Sequence, residues 1–179
     1  AGMLNALAEQ MADTGIENVR TVQSLWPPAA PVEADVALVA HVGYDIAAIG
    51  PFLDAMERAA RRLCVAVLLA RAPASFAEPF WPEVHGEARA PLPALPEFLA
   101  LQLARGRLFE LRLFARQGMS HSHREGVLPM LRQQLFVAPG SEKDAKLGAA
   151  AGRLLTERDG RWALSWEELP LGLVTWSPR

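Results

Sequence analysis

Residues 35–69 read DVALVAHVGYDIAAIGPFLDAMERAARRLCVAVLL, and their pattern sets the fold class. The run VALVA behind Asp35 is apolar throughout, as in a strand covered on both faces of a parallel sheet. After a loop over residues 41–50, Gly50-Pro51 marks a helix start. Pro51 falls in the first turn, where its missing N–H costs nothing. Phe52, Leu53, Met56, Ala59 and Ala60 recur at helical spacing and form an inward stripe. Residues 64–69, CVAVLL, give a second buried strand. Strand, crossover helix and strand at this spacing make a right-handed βαβ unit, so the two strands are expected to be parallel neighbours.

Working outward, residues 3–14 carry Met3, Leu4, Leu7, Ala8 and Met11 on one helical face, and Gly15 suits the stop. Residues 19–22 predict a short strand. Trp26-Pro27-Pro28 and Pro31 then hold a loop irregular. Residues 71–96 form a proline-rich connector with six of the 14 prolines and with Phe76, Phe80, Trp81 and His85. Such a segment is functional or connecting, and its aromatics argue against plain disorder. A short helix is expected over residues 97–104. Residues 109–115, FELRLFA, alternate as a strand with one wetter face. Ser122 to Glu125 has capping-box spacing, and a helix follows through Leu128, Leu131 and Leu135, with Pro129 either kinking it or delaying its start. Another helix is expected from Ser141, a turn at Asp159-Gly160, a strand over residues 162–166 and a last strand over residues 171–176. The alternation in the first half implies an α/β domain, and the later strands suit an antiparallel edge. The whole chain, residues 1–179, reads as one domain: a βαβ core to residue 70, the connector, then helices and terminal strands.

The chain of 179 residues is long enough for one proper core, and its 51% apolar content is ordinary for a globular protein. A net charge of −2 offers no basic field for nucleic acid or anionic membrane. Arg58, Arg61 and Arg62 cluster, but Asp54 and Glu57 offset them on a solvated helix face. The single cysteine, Cys64, sits in an apolar run, which suits an inert buried thiol and a reducing cytoplasm. No stretch approaches the ~20 apolar residues of a membrane span. His121 and His123 lack the acid or cysteine partners of a metal motif, and no GxSxG or HExxH is present.

The order of elements and the segment VAHVGYDIAAIGPFLDAMERAARR resemble the class I S-adenosylmethionine (SAM)-dependent methyltransferases, in particular the type-11 domain. The resemblance covers most of residues 1–70 and, more loosely, the end of the chain. It implies a Rossmann-like sheet of parallel strands with flanking helices that ends in an antiparallel strand pair, here FELRLFA and LGLVTW. It implies methyl transfer from SAM to an acceptor, with a small molecule favoured. The family's first strand, glycine-rich loop and second-strand acid have no counterpart, and no G-x-G occurs among the 13 glycines. That loop lets the backbone approach the cofactor, and the acid grips the ribose hydroxyls. An N-terminally truncated domain is therefore expected, with its sheet edge bare and open to homodimerisation.

The resemblance places Gln23, Ser24, Leu25 and Trp26 beside the adenine. Gln23 or Ser24 would supply a polar contact, and Leu25 or Trp26 an apolar wall. Alternatively Trp26 packs on the Pro-Pro turn. His41, at the carboxyl end of a strand, would border donor and acceptor and orient the acceptor or act as a base. Tyr44 would line the acceptor pocket. Alternatively His41 caps loop carbonyls and Tyr44 packs on the connector. Phe76, Phe80 and Trp81 are either a lid or packing. Two rival functions remain: a non-catalytic remnant or interaction module that does not bind SAM alone, and the second half of a dinucleotide-dependent oxidoreductase.

Overall fold

The computed structural model describes residues 2–116 and 120–179. In chain order, helix α1 (Gly2–Thr14) precedes strand β1 (Ala34–Ala40), helix α2 (Ile49–Ala59) and strand β2 (Ala60–Leu69). A 3-10 helix (Pro73–Phe80), α3 (Trp81–His85) and α4 (Leu95–Ala104) lead to β3 (Glu110–Arg116). A second 3-10 helix (Arg124–Val127), α5 (Leu128–Leu135), α6 (Glu142–Leu154), the hairpin β4 (Thr156–Arg158) and β5 (Arg161–Ala163), and β6 (Leu169–Trp176) complete the chain.

The main sheet runs β1-β2-β6-β3. β1 and β2 are parallel, as the βαβ pattern requires. β6 is antiparallel to both β2 and β3, so the expected antiparallel terminal pair is present. The result is a mixed α/β fold whose sheet holds parallel and antiparallel strands with flanking helices. α2 passes into β2 with no residue between them.

One face of the sheet carries the first core. Cys64 and Ala66 of β2 stand opposite Trp176 and Val174 of β6, and these pack with Leu68, Leu53 and Met56 of α2, and Leu95 and Phe98 of α4. Leu68 stands opposite Gly172. A Cβ there would lie 2.5 Å from Leu95 Cδ2, so glycine lets α4 settle onto the sheet. Beneath this core Glu57, only 5% exposed, accepts from Arg107 Nε at 2.8 Å and from Trp176 Nε1 at 3.2 Å. It also pairs with Arg107 through a second guanidinium nitrogen, and Arg105 bridges to Asp54 at 2.7 Å. A carboxylate this deep needs such partners. A second core joins the first 3-10 helix, α3, α5 and α6 through Phe80, Leu131, Leu135 and Leu147, all fully buried. Ser141 caps α6, its Oγ accepting from Asp144 N at 3.2 Å. Asp144 in turn binds Arg132 of α5 at 2.8 Å, which draws its carboxyl below the ordinary range.

Several expectations need correction. Residues 19–22 form no strand. No described strand lies beside them to accept a ladder, and an isolated apolar run does not hold β structure alone. β1 is not covered on both faces. None of its residues is buried, and Leu38 is 65% exposed, because it has one strand neighbour instead of two. β3 is exposed along its whole length instead of on one wetter face, being the opposite edge. The proline-rich connector is helical over much of its first half, since Pro73 and Pro82 occupy first-turn positions that suit helix entry. Pro129 likewise stands in the first turn of α5, so the helix begins later than Ser122 and is not kinked.

Candidate functional site

The parallel strands point their carboxyl ends at the loop over residues 41–48, where ligands bind in open α/β sheets. The chain leaves β1 at His41, whose amide donates to Val67 O at 2.9 Å and closes the β1–β2 ladder. His41 has φ +54°, the left-handed region that a non-glycine residue seldom enters. The turn that follows is completed by Gly43 at φ +106°. The His41 side chain stands exposed at this rim.

Tyr44 turns back into the first core and is buried. Its hydroxyl accepts from Leu69 N at 2.8 Å, fastening the loop to the last residue of β2. Burial pushes the phenol up, and the Leu69 hydrogen bond partly opposes this. The ring borders an apolar cavity of about 200 Å³ with Ile46, Ile49, Ala94, Phe98 and Leu101.

On the bare side of β1, Trp26 lies over α2. Its ring centroid is 5.9 Å from that of Phe52, and Nε1 donates to Phe52 O at 3.3 Å. Trp26 thus closes an open groove of about 370 Å³ along Val36, Leu38, Val39 and Val42. Gln23, Ser24 and Leu25 are exposed, Leu25 to 90%. The Ser24 hydroxyl donates to Leu25 O at 2.8 Å. Val42 borders both the groove and the Tyr44 cavity. The structure therefore brings Trp26 and the strand that ends in His41 to one groove, sets Tyr44 on its far side, and leaves residues 23–25 in solvent.

The groove tests in part the SAM site that the resemblance implies. Trp26, Val39 and Val42 line it with apolar side chains. No acid or glycine-rich turn is among the residues that line it, so the groove's own lining offers no holder for a ribose or an amino-acid end. Nor do the described residues gather three or more His, Cys, Asp or Glu side chains in metal-binding proximity.

Other residues weighed in the sequence fall elsewhere. His85 is held between helices, its Nε2 3.0 Å from Leu135 O and its Nδ1 3.0 Å from Lys143 Nζ, with the ring stacked on Trp81. Phe80 is fully buried and packs the second core. Cys64 is buried, and desolvation pushes its thiol up to about 11, so it is no nucleophile near neutral pH. A further cavity, of about 330 Å³, lies under Arg71, Phe76, His121 and the β4–β5 hairpin. Sequence reasoning missed it. The one sequence signal near it is His121, in SHSH over residues 120–123, which reads from sequence only as a metal candidate.

No protein-family model matches the chain, and none of the curated proteins matches it. Among solved structures, the fold is similar to that of a protein from Bacillus halodurans C-125 described as a "putative methyltransferase". The TM-score is 0.56 at 12% identity, over 97% of this chain and 78% of that one. At that identity the likeness speaks for a methyltransferase-like fold. No helix is long and apolar enough to cross a membrane among the described residues.

Proposed function

We propose that this chain is a SAM-dependent methyltransferase acting on a small molecule, with a donor site that needs ribose and amino-acid holders other than the residues lining the β1 groove. The observation that supports this reading is the sheet itself. Parallel β1 and β2 are continued by antiparallel β6 and β3, in a fold similar to the Bacillus halodurans protein. Trp26, with Gln23, Ser24 and Leu25 nearby in sequence, is assigned to the adenine side. His41 is assigned to the rim where acceptor and donor meet, orienting the acceptor or taking its proton. Tyr44 borders the acceptor and holds the loop in place. Methyl transfer asks chiefly for in-line positioning, which suits a site built from a strand end and a pinned loop.

A second reading has its own support. α1 has no buried residue, and β1 presents an apolar edge, as in an interaction module that a partner covers. Calorimetric titration of SAM into this chain, and into a version lengthened at its N-terminus, separates the two. Binding only by the lengthened chain is the expected result. Binding by neither favours the interaction module, and tight binding by the short chain overturns the argument about the incomplete groove. Light scattering adds a check: a bare edge predicts self-association of the short chain, and a clean monomer counts against it.

A further inference from the structure

The cavity of about 200 Å³ bordered by Tyr44 has walls from three places: the loop that leaves β1, Leu68 near the end of β2, and the start of α4. The Tyr44 ring, Ile46, Ile49, Leu68, Phe98 and Leu101 make it apolar. Its walls are anchored to the rest of the fold. The Tyr44 hydroxyl, accepting from Leu69 N at 2.8 Å, fastens the loop to β2. Leu95, the first residue of α4, is seated against Gly172 of β6. Just past the far end of α4, Arg105 donates to Gly50 O at 3.3 Å and to Asp54 Oδ1 at 2.7 Å, fastening α4 to α2. Packed interiors hold few voids larger than a water molecule, so a lined space of this size between anchored walls is a binding space.

Its polar inventory is short. Among the lining residues only Tyr44 and Glu97 carry polar side chains, and both are engaged within the protein. Tyr44 accepts from Leu69 N, and Glu97 Oε2 accepts from Ala94 N at 2.8 Å. No Lys, Arg or His lines the space.

We infer that this cavity binds a neutral molecule of about one aromatic ring and, resting on the methyl-transfer reading above, that this molecule is the apolar body of the methyl acceptor. The size follows from the volume: an apolar cavity of about 150 Å³ takes up benzene, so a slightly larger one suits a single ring with a small substituent. The neutrality follows from the lining. A charged group would enter apolar surroundings without a free partner, which is costly. The role follows from position. Val42 lines both this cavity and the groove along β1, so the two spaces adjoin next to His41. In that role the acceptor atom's lone pair bonds the methyl carbon, the carbon–sulfur bond of SAM breaks with its pair left on sulfur, and the acceptor's proton passes to solvent.

Toluene, benzoate and benzylamine share a ring and differ in charge. Titration of each into this chain, followed by calorimetry and by methyl NMR, is expected to show one saturable site for toluene that moves the Ile46, Ile49, Leu68 and Leu101 signals. Benzoate and benzylamine are expected to bind at least about tenfold more weakly. Ile46→Trp is expected to fill the cavity and abolish toluene binding, with the circular-dichroism melt retained; if it fails to fold, Leu101→Trp serves the same purpose. Absence of saturable toluene binding, binding that survives the cavity-filling variant, or equal affinities for the charged probes each overturns the inference. None of these results bears on the SAM titration, which decides the methyl-transfer reading by itself. The acceptor role is read with methyl-labelled SAM on whichever chain length binds it, offering p-cresol, p-toluidine and 4-methylbenzenethiol. Transfer to at least one of them is expected, falling about tenfold or more in Ile46→Trp. Transfer to none, or transfer unchanged by that variant, overturns the acceptor assignment even where toluene binds.

Discussion

β1 and β2 have nearly the same kind of sequence and opposite surroundings. VALVA and CVAVLL both read as strands buried on two faces, and the two lie side by side in one parallel pair. β2 has a strand on each side, and Cys64 and Ala66 are fully buried. β1 has one, and Val36 and Leu38 face solvent. Strand composition therefore records the burial that a position calls for, while actual burial depends on what pairs with the strand. The difference between the two is that, among the described residues, β1 has a strand on one side only.

The comparison is most easily broken from the covered side. Glu57→Ala leaves Arg107 buried without its carboxylate and removes the acceptor of Trp176 Nε1. A loss of about 3–5 kcal/mol is expected in urea unfolding; a loss under about 1 kcal/mol would mean that the network under β2 and β6 is not holding them. Next come two equal truncations, one on each strand. Leu68→Ala is expected to cost about 2–5 kcal/mol, and Leu38→Ala within about 0.5 kcal/mol, by the same measurement. Similar costs for both would show β1 to be covered in solution, by a second copy or by other chain.

Gln102 on α4 sharpens the picture in the opposite direction. It is fully buried, and neither of its side-chain polar atoms has a partner among the described residues. Gln102→Leu is expected to raise stability by about 1 kcal/mol, and a drop in the thermal midpoint would reveal an unseen partner for the amide. The smallest effect is read from thiol chemistry. Burial and the nearby Glu57 raise the Cys64 thiol from 9.0 to about 11. The folded state then holds a proton that the unfolded chain releases, so this contribution is complete below pH 9 and is lost as pH rises towards 11. Native Cys64 is expected to resist a disulfide reagent at pH 8, whereas Leu38→Cys in a Cys64→Ala background reacts at the rate of a free thiol. Protection of both positions would again place something over β1.

Much of the fold was legible because periodicity and punctuation are local. The βαβ unit, α1 with its Gly15 stop, the Ser141 cap and the Asp159-Gly160 turn all follow from neighbours in sequence, and the structure has each of them. Three things were not legible for one common reason. The exposure of Leu38, the failure of residues 19–22 to pair, and the full exposure of β3 all depend on which strand stands beside which. In the connector, read from sequence as functional or connecting, Pro73 and Pro82 start helices, because position within the turn decides what a proline does. Of the candidate site, His41 at a strand end was readable from order alone. The cavity under His121 was not, since its walls are gathered from residues almost one hundred apart in sequence.

The direct passage from Ala59 to Ala60 leaves no slack between helix and strand. Inserting a single residue there would either swing α2 by roughly 100° about its axis or turn each β2 side chain to the opposite face. The junction thus acts as a ruler: it phases the helix that carries Phe52 and Met56 beneath Trp26 against the strand whose last amide holds Tyr44. Groove and loop are set by one shared count of residues, and neither is free to drift without the other.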